Sequence, residues 1–177
     1  MNIEEFFLKS VGEWNSMRSG HSLAFQEFEE IRSKIKIVPS KSNDSRVIKF
    51  LKENLITTNL VNKAFLINWE AKSEWGEENQ KENSSGESIL VPIEISKTEG
   101  QIIRSVGYTE AVQIVSLYKI LDDGTLIINS NYSHICSEER IWFVSKNLRS
   151  RSSVTRAIDS SAILQTSYAS EIRSIKK

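Results

Sequence analysis

Glu138-Glu-Arg-Ile-Trp-Phe-Val-Ser-Lys-Asn-Leu-Arg-Ser-Arg151 is the stretch on which the reading of this 177-residue chain turns. Ile141 to Val144 form a short run of strand-favouring residues and Asn147 is a turn former, so the segment reads as two antiparallel strands joined tightly. Alternate side chains of a strand share a face, which sets Glu139 with Ile141 and Phe143, and Arg149 with Arg151 and Ser153. Carboxylate and guanidinium groups can then meet across the hairpin or face one cavity. Two outcomes fit: a solvated outer surface, whose ion pairs contribute about 0–1 kcal/mol each, or a lined pocket.

Strand patterns recur on both sides of this hairpin. Upstream, Trp14, Ser16 and Arg18 share one face of a long strand bent at Gly20, and Leu23, Phe25 and Glu27 continue the alternation. A further strand, Glu30 to Val38, ends at Pro39. From Lys63 the period is again two, with Phe65, Ile67, Trp69, Ala71, Ser73 and Trp75 on one face. Such a stripe is usually plain core, and its tryptophans, six residues apart, also suit the walls of a site for a flat aromatic ligand. Gly76 to Ser88 is polar and reads as an exposed hairpin loop. Strands resume at Ile89, Gln101, Val112 and Leu126, and after the central hairpin at Val154 and Ala162. Roughly ten strands at short spacing imply an antiparallel barrel or sandwich. Two segments read as helix. Ile3 to Lys9 can cap an open sheet end, and Asp44 caps a run in which Val47, Ile48, Leu51 and Leu55 recur at helical spacing.

Composition removes several function classes. Lys plus Arg and Asp plus Glu both number 23, so no net field draws nucleic acid or an anionic membrane. No apolar run approaches the roughly 18 residues of a membrane span, and the acidic N-terminus is unlike a signal peptide. A single cysteine, Cys136, and two histidines, His21 and His134, point away from a disulfide or a metal site and toward a reducing compartment. Gly-rich phosphate loops, Gly-x-Ser-x-Gly and His-Glu-x-x-His do not occur. The length suits one domain over residues 1–177.

The motifs, taken together, have a family likeness. Gly12-Glu-Trp14 with Arg18 and His21, Trp69, Leu90-Val-Pro92, Arg104-Ser-x-Gly107-Tyr108, Glu138-Glu-Arg-x-Trp-Phe143, Asn147-Leu-Arg-x-Arg151 and Ser170-Glu-Ile-Arg173 resemble the CpcS/CpeS group of phycobilin lyases. The likeness runs nearly end to end and is strongest to the phycoerythrobilin-handling CpeS type. Gly-x-Trp alone is shared with lipocalins; the Glu-Arg-x-Trp-Phe and Asn-Leu-Arg-x-Arg pair at this spacing is the specific signal.

The resemblance implies an all-β, lipocalin-like antiparallel barrel of about ten strands with an N-terminal helix. It also implies a bilin substrate, phycoerythrobilin or phycocyanobilin, held noncovalently and passed to a cysteine of a phycobiliprotein subunit as a thioether. A bilin carries two propionates, a row of pyrrole nitrogens and a wide π-surface. Arg149 and Arg151, with Arg18, are then expected to hold propionates. Glu139, with Glu171 as second candidate, is expected to accept from pyrrole N–H groups or supply a proton. Trp69 and Trp75 are the expected stacking walls. Trp14 would be the barrel floor, partnered by a late-strand arginine such as Arg173. No permanent cofactor and no metal are implied. The implied partners are an apo-phycobiliprotein subunit, β before α, a bilin reductase as donor, and a second copy of the chain as homodimer partner; the implied location is cytoplasm or plastid stroma. The alternatives are a bilin carrier without transfer activity and a lipocalin-like binder of another apolar ligand.

Overall fold

The computed structural model describes residues 1–41, 43–56, 61, 63–73, 83–105 and 114–175. Helix α1 (Ile3–Ser10) precedes strands β1 (Gly12–Ser22) and β2 (Glu27–Ser40). Helix α2 (Ser45–Glu53) then leads to β3 (Ala64–Ser73), β4 (Asn83–Glu94) and β5 (Glu99–Arg104). Strands β6 (Ile114–Ile120), β7 (Leu126–Tyr132), β8 (Ile135–Ser145), β9 (Leu148–Ala157) and β10 (Ile163–Arg173) follow. Each strand pairs antiparallel with the next, and β1 pairs with β10, so ten strands close into a barrel. Closure decides between the two architectures the strand rhythm allowed.

The strands alternate small or apolar inward residues with exposed outward ones, as in β6, where Ser116, Tyr118 and Ile120 are buried between exposed Val115, Leu117 and Lys119. Two cores result. Inside the barrel, Trp14, Ile37, Phe65, Leu90, Ile102, Tyr118, Leu126, Ile128 and Ile141 pack with Ile3, Phe6 and Phe7 of α1. Outside it, Val47, Phe50 and Leu51 of α2 cover Ala64, Val91 and Ile103. Gly100 is required by the first of these, since a Cβ there would sit 2.1 Å from the Ile93 carbonyl oxygen and 2.8 Å from the Tyr118 hydroxyl.

Helix α1 plugs one end of the barrel, as its apolar stripe suggested. Its start is fixed by a capping box: Glu5 N–H donates to Asn2 Oδ1 at 2.9 Å and Asn2 N–H to Glu5 Oε2 at 3.0 Å. Its C-terminal end is tied to the floor, where Trp14 Nε1 donates to the Ser10 carbonyl at 2.8 Å. Arg173 donates from Nη2 to the Lys9 carbonyl at 2.6 Å and also to the Val11 carbonyl.

Helix α2 begins at Asp44, whose carboxylate accepts from Arg46 N at 2.9 Å, Arg46 Nη2 at 3.0 Å and Ser40 Oγ at 3.1 Å. The Arg46 side chain is the main cause that holds this carboxyl down at about 2. A depressed carboxyl stabilises the fold fully above its unfolded value, about 3.9, and that contribution fades as pH falls through about 2. The melting-temperature difference between wild type and Asp44→Asn, which keeps a cap but no charge, is therefore expected to be constant above about pH 5 and to shrink steadily in more acidic buffer. A difference that does not change with pH would show that the charge contributes nothing.

Several sequence expectations are corrected. Leu23 to Gln26 is not strand but the turn between β1 and β2, with Gln26 at φ 56° and Phe25 77 % exposed. Four alternating residues look alike in a strand and in a hairpin tip, and only the pairing of Ser22 with Glu27 distinguishes them. Strand β2 runs through Pro39 because β1 has already ended opposite Ile37, leaving no ladder partner on that side for the N–H that proline lacks. Polar Asn83 to Ser88 belongs to β4, not to a loop, because its backbone pairs with β3 from Lys72 to Ile67; residues 76–82 of the expected loop lie outside the described residues. Leu55 leaves the helical stripe: α2 ends at Glu53, and Leu55 sits at φ 54°, 94 % exposed. Val154 to Ile158 is no separate strand but the end of β9 and the turn that follows it.

Candidate ligand-binding and active site

The central hairpin is strands β8 and β9, and its register brings the predicted groups together on one face. Phe143 pairs with Arg149, Ile141 with Arg151 and Glu139 with Ser153. On the far side of β9, Arg149 pairs with Glu171 and Arg151 with Ala169. Because Ile141 and Ala169 are core residues, this face is the barrel interior.

Two carboxylates and two guanidiniums form a chain there. Arg149 Nε donates to Glu171 Oε2 at 2.5 Å, with the side chains 4 % and 1 % exposed. Arg151 Nε lies 3.0 Å from Glu139 Oε1, and its Nη1 lies 4.0 Å from Glu171 Oε1. The Arg151 contact is an ion pair without hydrogen-bond alignment, and both Arg151 Nε and Glu171 Oε1 are buried with no hydrogen-bond partner. The four charges sum to zero. Burial pulls the Arg149 guanidinium below the usual arginine range while Glu171 opposes that pull. For Arg151 burial acts in the same direction, but Glu139 and then Glu171 more than offset it, so its value rises.

Three of the four, Glu139, Arg149 and Arg151, line a cavity of about 350 Å³, with Glu171 buried behind them. Phe6 and Phe7 form its floor; Ile35, Ile67, Trp69, Leu90, Ile128 and Ile141 line its walls. Glu139, Arg149 and Arg151 reach it from one side, and Arg104 and Ser88 from another part of the wall. An apolar chamber with a few converging polar groups is the usual form of a small-molecule site. A roomier groove of about 810 Å³, bordered by Asn15, Met17, Arg32, Lys34, Glu70 and Lys72, holds no buried ionisable group. Chemistry therefore points to the inner cavity.

The remaining sequence candidates divide. Trp69 lines the cavity. Trp75 lies outside the described residues. Arg18 does not line the cavity; it pairs with Glu29 at 2.9 Å and is about 40 % exposed. Trp14 is buried in the barrel floor as expected, with the Arg173 guanidinium 4.2 Å from its ring centroid. A second cation over that ring, Arg149 at 4.7 Å, was not foreseen. Glu139 pairs with Arg151, and Arg149 with Glu171, rather than Glu139 with Arg149 across the hairpin. His21 is exposed, its ring edge-on to Phe28, and His134 is exposed in the turn before β8. Cys136 is a half-buried free thiol. Sequence reasoning did not count Arg104 as a site residue. Its signal was available, since the strand period puts it on the face of Gly100 and Ile102, both buried.

Comparison with known proteins bears on the family and the fold. A family model described as CpeS-like protein matches residues 2–174. Chromophore lyase CpcS/CpeS 3 of Trichodesmium erythraeum is 39 % identical over 176 residues, covering 98 % of this chain and 100 % of its own. A CpeS protein of Microchaete diplosiphon, named for a phycoerythrobilin lyase, is 34 % identical over 151 residues, 84 % of this chain and 66 % of its own. The structure of the S-type phycobiliprotein lyase CPES from Guillardia theta superposes with a TM-score of 0.85 at 31 % identity, covering 100 % of this chain and 95 % of that one.

Proposed function

Since the chain belongs to the CpeS-like family, we propose that it is a phycobilin lyase that holds an open-chain tetrapyrrole in the inner cavity and attaches it to a phycobiliprotein subunit. The observation that carries this reading is the neutral Glu139–Arg151–Glu171–Arg149 chain facing an apolar chamber. Buried ion pairs seldom add stability over well-packed apolar residues, so a quartet inside a barrel suits a binding and catalytic purpose better than a structural one.

The bilin is noncovalently bound, with phycoerythrobilin first to test and phycocyanobilin second. Addition of a cysteine thiol across the ethylidene double bond of the A ring forms a carbon–sulfur bond, and the thiol proton is balanced by protonation of the adjoining ring carbon. No oxidant is needed. Glu139, 20 % exposed and open to the cavity, accepts from pyrrole N–H groups or passes a proton to the conjugated system. Arg151 holds Glu139 in place, and Arg149 with Glu171 forms the buried support beneath. Trp69 supplies a stacking wall. The acceptor is a phycobiliprotein subunit, β before α, the donor a bilin reductase, and the working form a homodimer.

Mixing the protein with phycoerythrobilin and an apo-subunit is expected to give a subunit that stays coloured after denaturation, with one absorbance maximum. The same product at the same rate without the protein would end the lyase reading. A tight coloured complex with no faster attachment would leave only a carrier.

A further inference from the structure

We propose that Arg104 holds a propionate of the bilin, on a stretch of the cavity wall separate from the Glu139 cluster. The inference rests on the bilin reading above and adds the orientation of the ligand. Within the cavity, the positive charges of Arg149 and Arg151 are already matched by Glu171 and Glu139. Arg104 is different. It lies on the inward face of β5 between Leu90 and Ile114, lines the same cavity, and its Nε is buried without a partner among the described residues.

The backbone that carries Arg104 is locked to β4. Ser105 N–H donates to the Ile89 carbonyl at 2.9 Å, Ile89 N–H to Ser105 Oγ at 2.7 Å, and Ser88 Oγ to the Ser105 carbonyl at 2.6 Å. A buried donor without an acceptor costs free energy, so such a rigidly mounted guanidinium is suited to an anionic ligand group. Its place in the circuit specifies which group. Strand β5 is three strands from β8, which carries the cavity-lining Glu139, and four from β9, which carries Arg149 and Arg151, so Arg104 stands on a separate stretch of the cavity wall from that cluster. In a pyrrole ring the N–H and the propionate-bearing carbon leave in opposite directions. A bilin whose nitrogens meet Glu139 therefore turns its propionates away from that cluster, toward the part of the wall that carries Arg104.

The test is a chemical cycle on binding, read by visible absorbance titration, with phycoerythrobilin and its dimethyl ester as the two ligands. Wild type is expected to bind the free acid about tenfold or more tightly than the ester, the ratio expected for one charge-assisted contact. Arg104→Gln is expected to lose that factor for the acid and nothing for the ester, and Arg104→Lys to recover part of it. Equal affinity of wild type for acid and ester overturns the inference without needing any variant. So does an Arg104→Gln loss that is the same for both ligands, or no loss for either. If wild type shifts neither ligand's spectrum, the bilin reading itself fails and this inference falls with it.

Discussion

Arg149→Ala is expected to destabilise the barrel by about 3–5 kcal/mol, the usual cost of removing one partner of a buried ion pair. Glu171 is 0 % exposed and would lose its hydrogen bond from Arg149 Nε, leaving Arg151 Nη1 at 4.0 Å as its nearest cation. The same change uncovers the Trp14 ring, over which Arg149 lies at 4.7 Å. Urea unfolding followed by tryptophan fluorescence would measure the loss. The double variant Arg149→Met with Glu171→Leu should regain much of the stability, because it removes both charges together and refills the volume. It should still fail to attach bilin, since the support beneath Glu139 and Arg151 is gone. A single variant within about 0.5 kcal/mol of wild type would mean that Glu171 finds another partner and that the quartet is not one unit.

Glu139→Gln is expected to slow bilin attachment at least about 100-fold while changing bilin affinity only a few-fold, because general acid–base groups typically contribute about 10²–10⁴ in rate. Glutamine keeps an oxygen to accept a pyrrole N–H but cannot hold the charge or carry the proton. Unlike Glu171, Glu139 is 20 % exposed, so the replacement leaves no deeply buried unpaired charge at its own position. Single-turnover attachment and absorbance titration on the same sample separate the two effects. Attachment at the wild-type rate would reduce Glu139 to an ion-pair partner of Arg151. Lost binding with an unchanged rate for the bound fraction would make it a ligand-holding group only.

Much of the site could be read from strand period alone. Alternation set Glu139 with Ile141 and Phe143, and Arg149 with Arg151, but a plain two-residue turn at Lys146 and Asn147 would leave the two sets on opposite faces; the register shift between Phe143 and Ser145 brings them onto one face. Trp69 followed from the same two-residue alternation, and Glu171, with Arg173 over Trp14, from the motif likeness. Period says which residues share a face, but not which face is inside. For β8, apolar on both sides, the inward choice came from its neighbours: Ile141 meets Leu126 and Arg151, and Arg151 meets Ala169. Partner choice was equally hidden. Alternation left open which carboxylate meets which guanidinium; β10 places Glu171 directly beside Arg149, and Glu171 takes the bond.

What the residues determined by themselves was local: the alternation of faces, the turn at Asn147, the Asp44 cap, and a charged hairpin that needed either solvent or a chamber. That Arg18 pairs with Glu29 was decided by the register of β1 with β2, and where Arg104 stands relative to Glu139 was decided only when β1 met β10 and the ring closed. The physical reason is that alternation acts over two residues. Opposition across a barrel depends on strand number and register, which emerge only when all ten strands are hydrogen-bonded together.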